Sequence, residues 1–299
     1  MNSFANDVRN EIARVIPKKL CCQKSELMSL LRMSSTNFVS NEAFDFSTSN
    51  AAIARKILLL TNSIDPTVKT RIEMKKAAKL RKNNRYIIHA SQTESIFREL
   101  GYLTDEMIFD PKKIRRDCCR KSFLRGAFLG SGSVNRPESD YRLELTTYNF
   151  SIAVFLRDFL TRFEFNPRIA ERGKKFVVYF QECELILDFL SMIQAPNAVE
   201  RFESARNLKE IRSQVNMLVN LETANLQRSA EAIARQFDDI SRLESSGLIK
   251  KLPSKMLQTI EARRKNPDAN IAELADVLSI SEQTMKYRLK KLHILAGQA

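Results

Sequence analysis

Apolar residues recur along the first two thirds of the chain with two alternating periods. Ile53, Ile57 and Leu60 sit three and four apart, as do Ile152, Phe155, Leu156 and Phe159, which predicts two amphipathic helices. Shorter runs of β-type character cover Phe44 to Asn50, Arg85 to His89, Leu143 to Asn149 and Lys175 to Phe180, and these predict strands. Glu94 to Leu100 and Glu184 to Leu190 return to helical spacing. Asn50 and Asn149 stand immediately before their helices, where a side-chain oxygen can accept from the first free N–H groups. Asp65-Pro66 and Asn166-Pro167 then mark corresponding turns.

These pairs form a repeat. Cys118 to Ser133 reads CCRKSFLRGAFLGSGS, and Cys21 to Thr36 reads CCQKSELMSLLRMSST. Subtracting Cys21 from Cys118 gives an offset of 97 residues. Each copy reads helix, two strands, helix, two strands, helix, with copies of about 1–110 and 111–195 inside a domain of 1–195. Gly126 and Gly130 are four apart and share one helix face, so a second helix can approach closely there. Met33 replaces the small residue of Gly130 in the first copy, so looser packing of the first helix, or packing with a different offset, is expected.

Beyond Pro196 the chain runs to Ser246 with no glycine and no further proline. Val199, Phe202, Ala205, Leu208, Ile211, Val215 and Leu218 keep helical spacing, as do Leu226, Ala230, Ile233, Phe237, Ile240 and Leu243. A helical connector over 196–250 follows, with a candidate break at Asn220 to Asn225. The last segment, 251–299, has three helices. Ser254 to Lys265 offers Met256, Leu257, Ile260 and Ala262 to a core. Asn270 with Glu273 forms a capping-box pattern ahead of Ile271, Leu274, Ala275 and Leu278. Ser281 caps EQTMKYRLKKL, whose Met285, Leu289 and Leu292 share the inner face. Helix, turn and helix in this order predict a helix-turn-helix domain.

Charge narrows the partners. The net charge is +14 and the isoelectric point near 9.7, which points to a polyanion and favours nucleic acid over membrane. No apolar run approaches the roughly 20 residues of a membrane span, and the first residues lack the apolar core of a signal peptide. A cytoplasmic, nucleoid-associated protein is expected. Basic clusters lie at Lys69, Arg71, Lys75, Lys76, Lys79, Arg81, Lys82 and Arg85, and again from Lys112 to Arg125. The five cysteines contain no C-x-x-C pair, so no metal, no cofactor and no spaced zinc site are expected. On the third helix of the last domain, Ser281, Gln283, Thr284 and Tyr287 are assigned to base or sugar contact or to its cap. Lys286, Arg288, Lys290 and Lys291 are assigned to phosphates.

The segment Leu124 to Gly132, LRGAFLGSG, resembles the LAGLIDADG helix of homing endonucleases. With Val219 to Ile240, VNLETANLQRSAEAIARQFDDI, the chain resembles the WhiA family of bacterial regulators over nearly its whole length. The resemblance implies an α+β fold of duplicated LAGLIDADG-like halves, a helical connector and an all-α helix-turn-helix domain. It also implies a transcription factor linked to cell division, chromosome segregation and, in sporulating relatives, sporulation. The position that carries the acidic metal ligand in nuclease relatives is Ser34 in one copy and Ser131 in the other. A hydroxyl cannot hold Mg²⁺ as a carboxylate does, so no enzymatic activity and no catalytic residue are expected. Tyr287 stands where the family commonly has histidine, so the family's target sequence need not transfer. The partner expected is double-stranded DNA, with a protein partner held by the connector or the doubled domain as a further expectation. Two alternatives stand beside the regulator: an architectural DNA-binding protein without strong sequence preference, and a residual Mg-dependent nuclease using Asp117 or Asp140.

Overall fold

The computed structural model describes residues 3–34, 36–40, 42–76, 84–101 and 114–298. They fall into two compact units, residues 1–209 and 210–299. In the first unit, α1 (Phe4–Ala13) precedes the first copy of the repeat. That copy runs α2 (Leu20–Met33), β1 (Thr36–Ser40), β2 (Ala43–Thr48), α3 (Ala51–Ile64), β3 (Lys69–Lys75), β4 (Arg85–Ser91) and α4 (Glu94–Leu100). The second copy follows with α5 (Asp117–Ser131), β5 (Gly132–Val134), β6 (Leu143–Thr147), α6 (Phe150–Thr161), β7 (Arg168–Arg172), β8 (Lys175–Phe180) and α7 (Cys183–Met192). Each copy folds one antiparallel four-stranded sheet, ordered β1-β2-β4-β3 and β5-β6-β8-β7. The fold class is therefore the duplicated α+β arrangement expected from the repeat.

Local chemistry places the elements. Asn50 accepts from the N–H groups of Ala52 and Ile53, and Asn149 from those of Ser151 and Ile152. Both asparagines thus satisfy donors that a helix start leaves open. Strand alternation sends Phe44, Phe46, Ile88 and Ala90 inward in one sheet, and Leu143, Leu145, Val178 and Phe180 in the other.

α2 and α5 pack against each other along their lengths. A Cβ on Gly126 would lie 2.3 Å from the Glu26 carbonyl oxygen, and one on Gly130 would lie 2.9 Å from the Met33 Cβ. The two glycines are the positions where the neighbouring helix leaves no room. Met33 does not loosen the seam as expected, because Gly130 across the interface receives it. Ser25 donates to the Cys119 carbonyl and Ser29 to the Phe123 carbonyl, each at 2.7 Å, so hydroxyls of α2 satisfy the backbone of α5.

A buried charge cluster crosses this seam. Glu26 and Lys56 are fully buried and Arg125 is 3% exposed. Arg125 donates to both Glu26 carboxylate oxygens and, through Nη1, to Gln194 at 2.7 Å. Lys56 pairs with Glu26 and donates to the carbonyls of Ile12 at 2.9 Å and Val15 at 2.7 Å. Burial lowers the Lys56 ammonium to a pKa of about 8, against the opposing pull of Glu26. Arg125, counted by sequence in a basic cluster, is thus committed to the interior.

The connector expected over 196–250 takes the form of one uninterrupted helix, α8 (Pro196–Ser245), with no break at 220–225. Its first turns complete the core of the first unit through Ala198 and Phe202. Its last turns bring Ile240 and Leu243 into a core of the second unit with Met256, Ile260, Leu292 and Ala296. The second unit continues with α9 (Ser254–Lys265), α10 (Ile271–Val277) and α11 (Glu282–Ala296). No helix among the described residues is long and apolar enough to cross a membrane.

Candidate nucleic-acid interface and the degenerate cleft

The three short helices of the second unit form around a small core. Ala262, Leu274, Ala275 and Met285 are buried together, with Ile271, Leu278, Ile280 and Leu289 packed against them. Leu257, placed in this core by spacing, is 41% exposed instead, because it lies at the edge of the helix stripe. Asn270 and Glu273 form the reciprocal capping box that starts α10. Between α10 and α11 the chain turns at Ser279, which has φ of +51°, and the Ile280 N–H closes the turn on the Ala275 carbonyl at 2.9 Å. Ala275 leaves the space this crossing needs. The Ser281 hydroxyl then accepts from the Thr284 N–H at 3.2 Å, capping α11.

Packing of Met285, Leu289 and Leu292 inward sets the opposite face of α11 toward solvent. Gln283, Thr284, Lys286, Tyr287, Lys290 and Lys291 are all exposed, Tyr287 by 62%. Thr284 shares a hydroxyl hydrogen bond with Ser281 at 2.8 Å, and Lys286 pairs with Glu282 at 3.3 Å, one helical turn back. Lys290 and Lys291 make no ion pair among the described residues. Arg288 is half-buried and donates to the Lys255 carbonyl at the start of α9, at 3.3 Å. At the far end, His293 bonds Asp239 of α8 at 2.9 Å and anchors the helix. The result is a short helix with a fixed inner face and an outer face of polar, aromatic and cationic groups.

A second basic surface covers the outward faces of the two sheets. Cross-strand register puts Asp45, His89 and Arg71 on one face of the first sheet, opposite the buried phenylalanines. His89 bonds Asp45 at 2.7 Å. Lys69, Lys75 and Arg85 are exposed on the same sheet. The second sheet exposes Arg168, Arg172 and Lys175, of which Arg172 pairs with Glu144 at 3.1 Å. Lys79, Arg81, Lys82, Lys112 and Lys113 lie outside the described residues.

Where α2 and α5 end, an open cleft of about 760 Å³ contains Ser34 and Ser131 together with Thr36, Thr147, Asn149 and Lys175. No carboxylate is among its lining residues. The Ser34 hydroxyl donates to the Leu30 carbonyl at 2.6 Å, and the Ser131 hydroxyl is buried without a partner among the described residues. Asp117 lies fourteen residues before Ser131, at the other end of α5 and so about 21 Å away by helical rise. Glu138 and Asp140 are exposed in the loop before β6. The cleft has the shape of a site between paired helices and lacks the anionic ligands that two-metal chemistry requires.

Comparison with known proteins agrees with this geometry. Family models match for the WhiA N-terminal LAGLIDADG-like domain at residues 20–103, the WhiA LAGLIDADG-like domain at 120–212 and the WhiA C-terminal HTH domain at 215–296. A relative named "Probable cell division protein WhiA" from Desulforamulus reducens is 37% identical, covering 98% of this chain and 95% of its own. One of the same name from Bacillus mycoides is also 37% identical, covering 98% and 96%. The crystal structure of full-length DUF199/WhiA from Thermatoga maritima matches with a TM-score of 0.63 at 23% identity, covering 99% of both chains. The chain belongs to the WhiA family.

Proposed function

We propose that this protein is a DNA-binding transcriptional regulator without catalytic activity, and that α11 reads DNA through the major groove. The observation that carries this reading is the division of α11. One face is locked into two small cores, and the other exposes Gln283, Thr284, Tyr287, Lys286, Lys290 and Lys291 on a capped, pre-formed helix. Gln283, Thr284 and Tyr287 contact base edges or sugars; Lys286, Lys290 and Lys291 neutralise phosphates, and Arg288 joins them by releasing the Lys255 carbonyl. Ser281 holds the helix start. The basic outer faces of the two sheets add affinity that does not depend on sequence.

The relatives' printed names support cell division as the process served, and the family resemblance extends this to chromosome segregation and, in sporulating organisms, sporulation. Such a protein works in the cytoplasm on the nucleoid. Exposed apolar residues along the middle of α8, among them Leu208, Ile211, Val215 and Leu218, support a protein partner as an additional ligand of that helix.

The test is retention of sheared genomic DNA by the purified full-length chain at about 0.15 M salt, followed by sequencing. A shared motif among retained fragments is the expected result. Retention without a motif would replace the regulator by an architectural protein. Mg²⁺-dependent cleavage of the retained DNA would restore the nuclease reading.

A further inference from the structure

The heads of α2 and α5 carry a group of side chains that DNA binding does not use. Cys21 and Cys22 are the second and third residues of α2, and Cys118 and Cys119 those of α5. The helix seam brings all four together, and their Sγ atoms lie within 4.8 Å of one another. A zinc ion held tetrahedrally by four thiolates at about 2.3 Å separates its sulfurs by about 3.8 Å. The cluster is thus within about 1 Å of a closed structural site. Cys22 and Cys119 are buried, and Cys21 and Cys118 are half-buried.

The surroundings suit anionic sulfur. Neither helix start has a side-chain cap, since the cap positions are Lys19 and Arg116. Two sets of open N–H groups and two helix dipoles therefore converge on the thiols. Arg116 lies 3.9 Å from the Cys21 sulfur. Lys18, Lys19 and Lys121 line an adjoining pocket of about 360 Å³ with Cys22 and Cys118, which gives an ion a path from solvent. Lys18, Lys19 and Arg116 offset the two negative charges that four thiolates leave on Zn²⁺, while Lys121 is paired with Asp117 at 3.1 Å. Around the sulfurs, Ser122 hydrogen-bonds Cys22, and Ser25 fixes the Cys119 carbonyl.

We propose that Cys21, Cys22, Cys118 and Cys119 bind one zinc ion, which clamps the two copies of the repeat at the end of the seam opposite the Ser34–Ser131 cleft. On binding, the four thiols release their protons to solvent and no oxidant is consumed. Each ligand pair is vicinal, so neither stretch shows a spaced zinc motif. The site exists only because the duplication places equivalent positions side by side.

Full-length chain purified under reducing, chelator-free conditions is expected to carry about one zinc per chain. Replacing it with Co²⁺ should produce thiolate charge-transfer absorption and the visible bands of a tetrahedral centre. Cys21→Ser with Cys118→Ser should lose both signals and the metal, whereas Cys183→Ser should keep them. Metal removal should lower the Tm of the wild type and leave that of the double variant unchanged. The cobalt spectrum of the wild type decides the matter even where the double variant fails to fold. A folded wild type with no bound zinc and no cobalt–thiolate absorption overturns the proposal. So does recovery of the four cysteines as disulfides from cells quenched with an alkylating agent.

Discussion

Helices α5 and α11 are each fifteen residues long, yet nine residues of α5 are buried against three of α11. The difference lies in what each does with its polar groups. In α5, Arg125 and Ser122 are buried, Arg125 bonded to Glu26 and Gln194, and two glycines remove side chains where α2 approaches. In α11 the polar and charged residues stay in solvent except Arg288, which is half-buried against the Lys255 carbonyl, and only Met285, Leu292 and Ala296 are fully covered. A helix that buries its charges is committed to holding the fold, because leaving those charges unpaired is costly. A helix that keeps its charges exposed has groups available for a ligand. Changes in α5 should therefore act on stability, and changes on the outer face of α11 on binding.

The largest effect is expected where the buried cluster loses its centre. Glu26→Leu leaves Lys56 and Arg125 without their counter-charge and should destabilise the first unit by about 3–5 kcal/mol in chemical denaturation. A loss under 1 kcal/mol would show that the cluster is solvated. Gly126→Ala comes next, since its Cβ meets the Glu26 carbonyl oxygen and the Ser29 hydroxyl at once. About 2–3 kcal/mol should be lost, with α2 and α5 forced apart. Both variants, refolded, should retain the DNA preference of α11.

Lys56 sharpens the same point through pH. Below pH 8 its ammonium is charged in both states, and the folded state bears the burial cost. Between about 8 and the ordinary value of 10.5 the unfolded chain keeps a proton that the folded chain has released. The unfolded state then binds more protons, so this group's contribution to stability rises with pH. The stability difference between wild type and Lys56→Met should widen in favour of wild type across that window. A difference that is flat with pH would mean that Lys56 keeps its ordinary pKa.

On α11 the expected effects are smaller and of another kind. Gln283→Ala should relax base preference at one position by about 1–3 kcal/mol while thermal unfolding stays at the wild-type value. Lys290→Ala should weaken binding evenly across sequences and reduce the salt slope by about 1. If Lys290→Ala alters the preferred sequence instead, the assignment of phosphate and base contacts on this helix is reversed.

Much of this division is legible in the chain itself. Caps such as Asn50, Asn149, Asn270 and Ser281 act within three residues, and the helical period of α11 separates Met285 and Leu292 from Gln283 and Tyr287 without tertiary information. The buried cluster is not legible in this way. Glu26 meets Lys56 and Arg125 from 30 and 99 residues away, and a basic stretch gives no sign that one of its arginines turns inward. Met33 was misleading for the same reason, since its fit depends on Gly130 in the other copy. The cysteines lay between these cases. Their equivalence under the repeat was visible, and a pair of helices packed at that equivalence would have placed all four thiols together.

The most direct test compares three full-length chains on the same pool of genomic fragments at about 0.15 M salt: wild type, Gln283→Ala, and Arg168→Ala with Lys175→Ala on the second sheet. If α11 reads sequence, Gln283→Ala changes the retained motif, and the sheet variant retains the same motif with uniformly lower affinity. A motif that is unchanged by Gln283→Ala and altered by the sheet variant would contradict the account and move base recognition to the doubled domain.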